Sequence, residues 1–191
     1  MHTPLLNHIA RYVQLSADEK AVVQQAFIYK QMKKKEYLLN EGDMCTTNSF
    51  VVSGCFRMYM VTENGSEQII QFGLPDWWVC DYQSLESKKP TEYFIQAIEA
   101  TEILCINKEK LDKLFNDVPK LEKYFRLVNQ RSYAAMLKRI SYIYCQSSEE
   151  RYNMISAMFP EFVQSVPQYM LASYLGFTPE FLSMIRAKKH K

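Results

Sequence analysis

The side chains able to do covalent chemistry are few and poorly placed for it. Histidine, the commonest general base and metal ligand, occurs only at His2, His8 and His190, so residues 9–189 hold none. The five cysteines, Cys45, Cys55, Cys80, Cys105 and Cys145, stand singly with no C-x-x-C pair. Zinc and iron–sulfur sites need clustered thiolates, so these read as free thiols packed like small hydrophobes. The glycines, Gly42, Gly54, Gly65, Gly73 and Gly176, lie too far apart to form a phosphate-cradling loop. No metal, no cofactor and no catalytic constellation is expected, and the chain does not read as an enzyme.

Recognition chemistry is better represented. Between Pro167 and Arg186 the apolar residues Leu171, Leu175, Phe177, Leu182 and Ile185 frame a small Ala172 and a turn-competent Gly176. Thr178 is a natural N-cap, with Pro179 at the first helical position. Together these predict two short helices joined by a tight turn, a helix-turn-helix; an ordinary helical hairpin is the alternative. In the first reading Thr178, Glu180, Phe181, Ser183 and Met184 occupy the first two turns of the second helix, where base edges are met. Gln168 opens the preceding helix beside a phosphate, and Arg186, Lys188 and Lys189 supply charge for the nucleic-acid backbone. Charge is distributed to match: residues 1–119 hold 12 basic and 16 acidic side chains, residues 120–191 hold 11 and 5. A basic second half suits a polyanionic partner, although solvated helix faces would give the same imbalance.

The elements that position this motif follow from patterning. Ser16 to Glu19 is a capping box that starts a helix. From Phe27 onward short runs rich in β-branched and aromatic residues take over: Tyr37–Leu39, Phe50–Val52, Phe56–Val61, Ile69–Phe72, Tyr93–Ile98 and Glu102–Ile106. Glycines punctuate them, and Asn64-Gly65 is a strong hairpin signal. A small antiparallel roll is expected. Asn107 caps a helix carrying Leu111, Leu114 and Phe115. From Lys120 to Gln146 there is neither Gly nor Pro, which predicts a rod of about 40 Å. Its apolar stripe, Leu121, Phe125, Val128, Met136, Ile140 and Ile143, has imperfect helical phasing. The expected role is pairing with a second copy; a helix covering the roll within one chain is the alternative. A second capping box, Ser147 to Glu150, restarts the chain, Pro160 ends that helix and Pro167 opens the next.

The segment Val166 to Glu180, of the form V-P-Q-x-x-L-A-S-Y-L-G-x-T-P-E, resembles the Crp/Fnr transcription regulators, in particular their Bacteroidetes-type branch. Glu41-Gly42-Asp43, Val51-Val52-Ser53-Gly54, Trp77-Trp78-Val79-Cys80-Asp81 and Ser148-Glu149-Glu150-Arg151 extend the resemblance backwards over nearly the whole chain. It implies an α+β protein with three parts. Residues 1–118 form an N-terminal antiparallel, jelly-roll-like β-roll sensor, 119–147 a long dimerisation helix, and 148–191 a helical helix-turn-helix domain.

Two departures stand out. In cyclic-nucleotide-binding members a Gly-Glu pair and an Arg hold the ribose and phosphate; here those positions resemble Cys80-Asp81 and Thr91, followed by Glu92 and Tyr93. Without a guanidinium fork the phosphate loses its bidentate partner, so cyclic AMP binding is not expected. Trp78, Val79, Cys80, Asp81, Tyr82, Thr91, Glu92 and Tyr93 would line a pocket for another small effector, or else fill the roll. In the second helix of the motif, Phe181 and Met184 stand where the family commonly offers Ser and Arg, which weakens direct reading of guanine. The resemblance therefore implies a homodimeric regulator of transcription, cytoplasmic, bound to double-stranded DNA and meeting RNA polymerase, with no membrane segment. A protein–protein interaction module is the alternative, in which Phe181 and Met184 form a docking face.

Overall fold

The computed structural model describes residues 1–189; Lys188 and Lys189 belong to the last helix, but their side chains lie outside the described residues. The chain divides into two compact units, Met1–Val61 with Ile70–Asn129, and Thr62–Ile69 with everything from Gln130 onward.

The first unit is built around two four-stranded antiparallel sheets. Its strands are β1 (Ile28–Met32), β2 (Tyr37–Leu39), β3 (Thr47–Ser53), β4 (Phe56–Val61), β5 (Glu67–Gly73, which enters this unit at Ile70), β6 (Trp78–Val79), β7 (Phe94–Ala97) and β8 (Thr101–Asn107). One sheet runs β1-β8-β3-β6, the other β2-β7-β4-β5. The β3–β4 hairpin turns at Gly54, whose φ is +81°; a Cβ there would stand 2.5 Å from the Ala100 carbonyl, so only glycine fits. Helices α1 (Thr3–Ala10), α2 (Ala17–Ala26), α3 (Tyr82–Ser87) and α4 (Lys108–Asp117) lie outside the strands in sequence. The Ser16–Glu19 capping box and the Asn107 cap form as expected. A fifth helix, α5 (Lys120–Cys145), begins in this unit.

Two apolar clusters hold the unit. One joins Leu5 and Ile9 of α1, Val23 of α2, Phe50, Leu104 and Ile106 of the first sheet, Leu111 and Leu114 of α4, and Leu121, Tyr124 and Phe125 of α5. The other fills the space around Val51, Phe56, Val79, Ile95 and Ile103. Truncating any such residue to alanine costs about 2–5 kcal/mol. His8, near the start of the sequence, is also buried, its Nδ1 2.7 Å from the Tyr124 hydroxyl.

The second unit is helical. After α5 come α6 (Ser148–Met158), α7 (Pro160–Ser165), α8 (Gln168–Leu175) and α9 (Pro179–Lys189). Ser147 and Glu150 close a capping box at the start of α6. The short α7 was not expected; Pro160 ends α6 but also serves as the first residue of one more turn and a half before Pro167. Among the described residues of these helices and their connections, Tyr152, Ile155, Val163, Val166, Met170, Leu171, Ala172, Leu175, Leu182 and Ile185 are buried and apolar.

Candidate functional site

Three regions carry the candidate residues. In the first unit the segment from Trp78 to Tyr93 is organised by one carboxylate. Asp81, 5% exposed, is the N-cap of α3: its Oδ1 accepts from the Gln83 and Ser84 backbone N–H groups at 3.0 and 3.2 Å. Its Oδ2 accepts the Thr91 hydroxyl at 2.6 Å. Thr91 is held in turn, its N–H donating to the Asp43 carbonyl and its hydroxyl accepting from the Tyr93 N–H. The resemblance put Asp81 and Thr91 at the two positions that would grip a phosphate, and the fold does bring them together. They grip each other instead. The helix N–H groups that favour an anion already have one, supplied by the chain itself.

The remaining members of the expected effector pocket are spread between the core and the surface. Trp78 packs into the core, its ring 5.4 Å from that of Phe50 and 4.9 Å from that of Phe125, with its indole N–H on the Tyr124 hydroxyl at 2.9 Å. Val79 is buried. Tyr82 accepts from the Asn48 amide at 3.0 Å and borders a cavity of about 290 Å³ shared with Leu85, Lys108, Phe115 and Phe125. Burial pushes its phenol up to about 12. Glu92 is exposed and Tyr93 packs against the second core cluster. Cys80 faces Cys45, sulfur to sulfur, at 3.8 Å, a juxtaposition across 35 residues that no local pattern announces.

Along α5 the expected stripe splits. Leu121 and Phe125 are buried in the core of the first unit, and Val128 packs against it. They are corrections to the expected dimer surface, because their contacts are already made. Met136, Ile140 and Ile143 are exposed, and Tyr133, Leu137 and Tyr144 extend them into a continuous exposed apolar row that the sequence reading missed.

In the second unit α8 and α9 meet through Gly176, whose φ of +76° gives the left-handed turn. The N–H of Gly176 bonds back to the last carbonyls of α8. The Thr178 hydroxyl caps α9, accepting from the Phe181 N–H at 3.2 Å. Leu182 and Ile185 turn inward, while Glu180, Phe181, Ser183 and Met184 are exposed. Gln168 is exposed at the start of α8, and Arg186 is half-buried. Lys188 and Lys189, also expected to meet DNA, have side chains outside the described residues.

Two arginines missed by sequence reasoning hold this motif in shape. Arg151 lies 4.7 Å over the Phe177 ring and donates to the Leu175 carbonyl at 3.2 Å. Arg139 lies 4.0 Å over the Tyr174 ring and donates to its carbonyl at 3.0 Å, and burial lowers its guanidinium from the ordinary value. Both carbonyls belong to the last turn of α8, where a cation opposes the helix dipole. Ser173 is also occupied, donating to the Glu67 carbonyl and accepting from the Ile69 N–H, each at 2.9 Å.

Comparison with known proteins agrees with this architecture. Residues 29–118 match the cyclic nucleotide-binding domain family. The Anaerobic regulatory protein of Aggregatibacter actinomycetemcomitans is 27% identical over 85% of this chain, which spans 66% of that relative's own length. The Transcriptional activator protein anr of Pseudomonas aeruginosa is 28% identical over 81% of the chain and 67% of its own. FixK2 from Bradyrhizobium japonicum superposes with a TM-score of 0.70 at 18% identity, over 86% of this chain and 84% of that one. The first unit therefore contains a cyclic-nucleotide-binding-type β-roll. With the long helix and the C-terminal helices following in the same order, the chain is similar to these regulators in sequence and to FixK2 in fold.

Proposed function

We propose that this chain is a homodimeric, duplex-DNA-binding regulator of transcription. The observation that carries the reading is the α8–Gly176–α9 motif, with Leu182 and Ile185 buried on one side and Glu180, Phe181, Ser183 and Met184 exposed on the other. A helix so presented enters a major groove by its first two turns. Glu180 accepts from cytosine amino groups, and Phe181 and Met184 lie against thymine methyls. Gln168 and the basic residues after Ile185 position the motif on phosphates. The names of the relatives, a regulatory protein and a transcriptional activator, fit this reading. Contact with RNA polymerase and a cytoplasmic location follow from the same role; among the described residues no helix is long and apolar enough to cross a membrane.

The dimer reading rests on Tyr133, Met136, Leu137, Ile140, Ile143 and Tyr144, whose spacing of three and four is that of a helix–helix seam. Cyclic AMP is not the effector in this reading, because a phosphate would have to displace Asp81 from α3 and Thr91.

The test is binding to a duplex selected from random sequence, across a salt series. Glu180→Ala is expected to change sequence preference. Lys188→Ala is expected to weaken binding to all sequences and to reduce the salt slope by about one unit. Exposed Phe181 and Met184 favour the interaction-module alternative, and failure of the wild type to bind any duplex at low salt would make it the better reading.

A further inference from the structure

Two of the five cysteines do not behave as isolated buried thiols. Cys45, in the connection between β2 and β3, and Cys80, between β6 and α3, place their sulfurs 3.8 Å apart. A disulfide needs about 2.05 Å, so the sulfurs have less than 2 Å to close. Both lie on short connections rather than mid-strand, where such a shift is tolerated. Cys80 keeps part of its surface in solvent. We propose that Cys45 and Cys80 form a redox site, a dithiol that hydrogen peroxide closes to an intramolecular disulfide and that thiols reopen.

The chemistry balances with two electrons. The Cys45 thiolate attacks a peroxide oxygen; the O–O bond breaks, one proton is taken up, water leaves and Cys45 becomes a sulfenic acid. The Cys80 sulfur then attacks the Cys45 sulfur, the S–O bond breaks, and the Cys80 proton leaves with hydroxide as a second water. The two thiols are oxidised and the peroxide is reduced. The local environment assigns the roles. The Cys80 thiol, hydrogen-bonded to the Cys45 sulfur, is the chief influence holding Cys45 down, to about 7, while that same bond and burial push Cys80 up. In this proposal Cys45 takes the attacking role and the part-exposed Cys80, its sulfur 3.8 Å away, the resolving one. The other buried thiols are suited to neither role: burial pushes Cys55 up to about 12 and raises Cys105 as well.

The bond would tie two working parts of the roll together. The Cys45 N–H donates to the Ser84 hydroxyl at 2.9 Å, and Cys80 immediately precedes Asp81, the cap of α3. Closing the disulfide therefore pulls on the start of α3 and on the Asp81–Thr91 bond.

The experiment uses the reduced full-length chain, treated with hydrogen peroxide, quenched by alkylation, then denatured, alkylated again with a distinguishable reagent and digested without reductant. The expected result is a linked peptide pair containing Cys45 and Cys80, lighter by two hydrogens and released by dithiothreitol. In Cys80→Ser, dimedone should trap a sulfenic acid on Cys45; in Cys45→Ser, Cys80 should remain unmodified. Recovery of both residues as alkylated thiols from natively folded, peroxide-treated protein would overturn the proposal. So would linkage of either one to Cys145 in place of the Cys45–Cys80 pair.

Discussion

The carboxylate of Asp81 and the hydroxyl of Thr91 meet at 2.6 Å inside the roll, both side chains buried. These are the positions at which the family resemblance seats the anion-gripping groups. Here one of the partners is itself the anion. Asp81 meets both the first N–H groups of α3 and Thr91, so an incoming phosphate finds its donors in use and a negative charge in its place.

Cyclic AMP is therefore expected to leave the protein unchanged. Titration calorimetry should give no binding tighter than about 10 μM, equivalent to roughly 6.8 kcal/mol. Asp81→Ala removes the helix cap and strands the buried Thr91 hydroxyl, and should cost about 2–4 kcal/mol in chemical denaturation. Thr91→Val leaves the cap intact and should cost less, about 1–2 kcal/mol. Equal losses from the two would show that the cap contributes nothing.

Substitutions along α5 should separate by position. Met136→Asp with Ile140→Asp is expected to give a folded monomer, because these side chains are exposed within one chain. Leu121→Ala or Phe125→Ala is expected to lower stability by about 2–5 kcal/mol, because these fill the core. Sedimentation and denaturation measured on the same samples distinguish the two outcomes. A wild-type protein that sediments as a monomer at micromolar concentration would remove the basis of the dimer.

The same helix shows what was legible in the sequence. Its length was, because nothing between Lys120 and Gln146 interrupts it. Its apolar stripe is imperfectly phased in the sequence, and the reason is physical. Leu121, Tyr124, Phe125 and Val128 form one face, and Tyr133 to Tyr144 form another, offset by about 110° around the helix. Pooling the two blurred both. Capping boxes at Ser16 and Ser147, the Thr178 cap and the Gly176 turn were readable because each is a local rule satisfied within four residues. What escaped was either short or distant. Strand β6 has two residues, too few for a period, and α3 sits in a polar stretch where only the Asp81 bonds reveal a helix start. The Cys45–Cys80 and Arg151–Phe177 pairs are joined by the fold and not by spacing.

The α8–α9 motif should be sensitive to Arg151 and Gly176, which hold its turn in place. Arg151→Met keeps an apolar stem but loses the bond to the Leu175 carbonyl and the charge over Phe177, and is expected to cost about 1–3 kcal/mol. Gly176→Ala meets no neighbour within 4 Å, so its cost is backbone strain alone, about 1–2 kcal/mol. Gly176→Asn, which tolerates the left-handed region, should cost less. Hydrogen exchange resolved by segment should show the loss of protection in α8 and α9, with residues of the roll unchanged. Uniform loss throughout the chain would mean that the motif does not unfold on its own.

The reactivity of Cys45 should carry its own pH signature. Only the thiolate attacks peroxide, so the rate follows the thiolate fraction. The bond from Cys80 lowers the Cys45 thiol from 9.0 to about 7. A lowered value means that the reactive form persists to lower pH. The rate of disulfide formation should therefore rise about tenfold per pH unit below about 7 and level off above it. In Cys80→Ala the stabilising donor is gone while burial remains, so Cys45 should return toward or above the ordinary thiol range. Dimedone labelling of Cys45 in that variant should then still be climbing above pH 8, roughly a unit or more beyond the wild-type plateau. Identical profiles for the two proteins would show that Cys80 does not tune Cys45, and that proximity alone governs the pair.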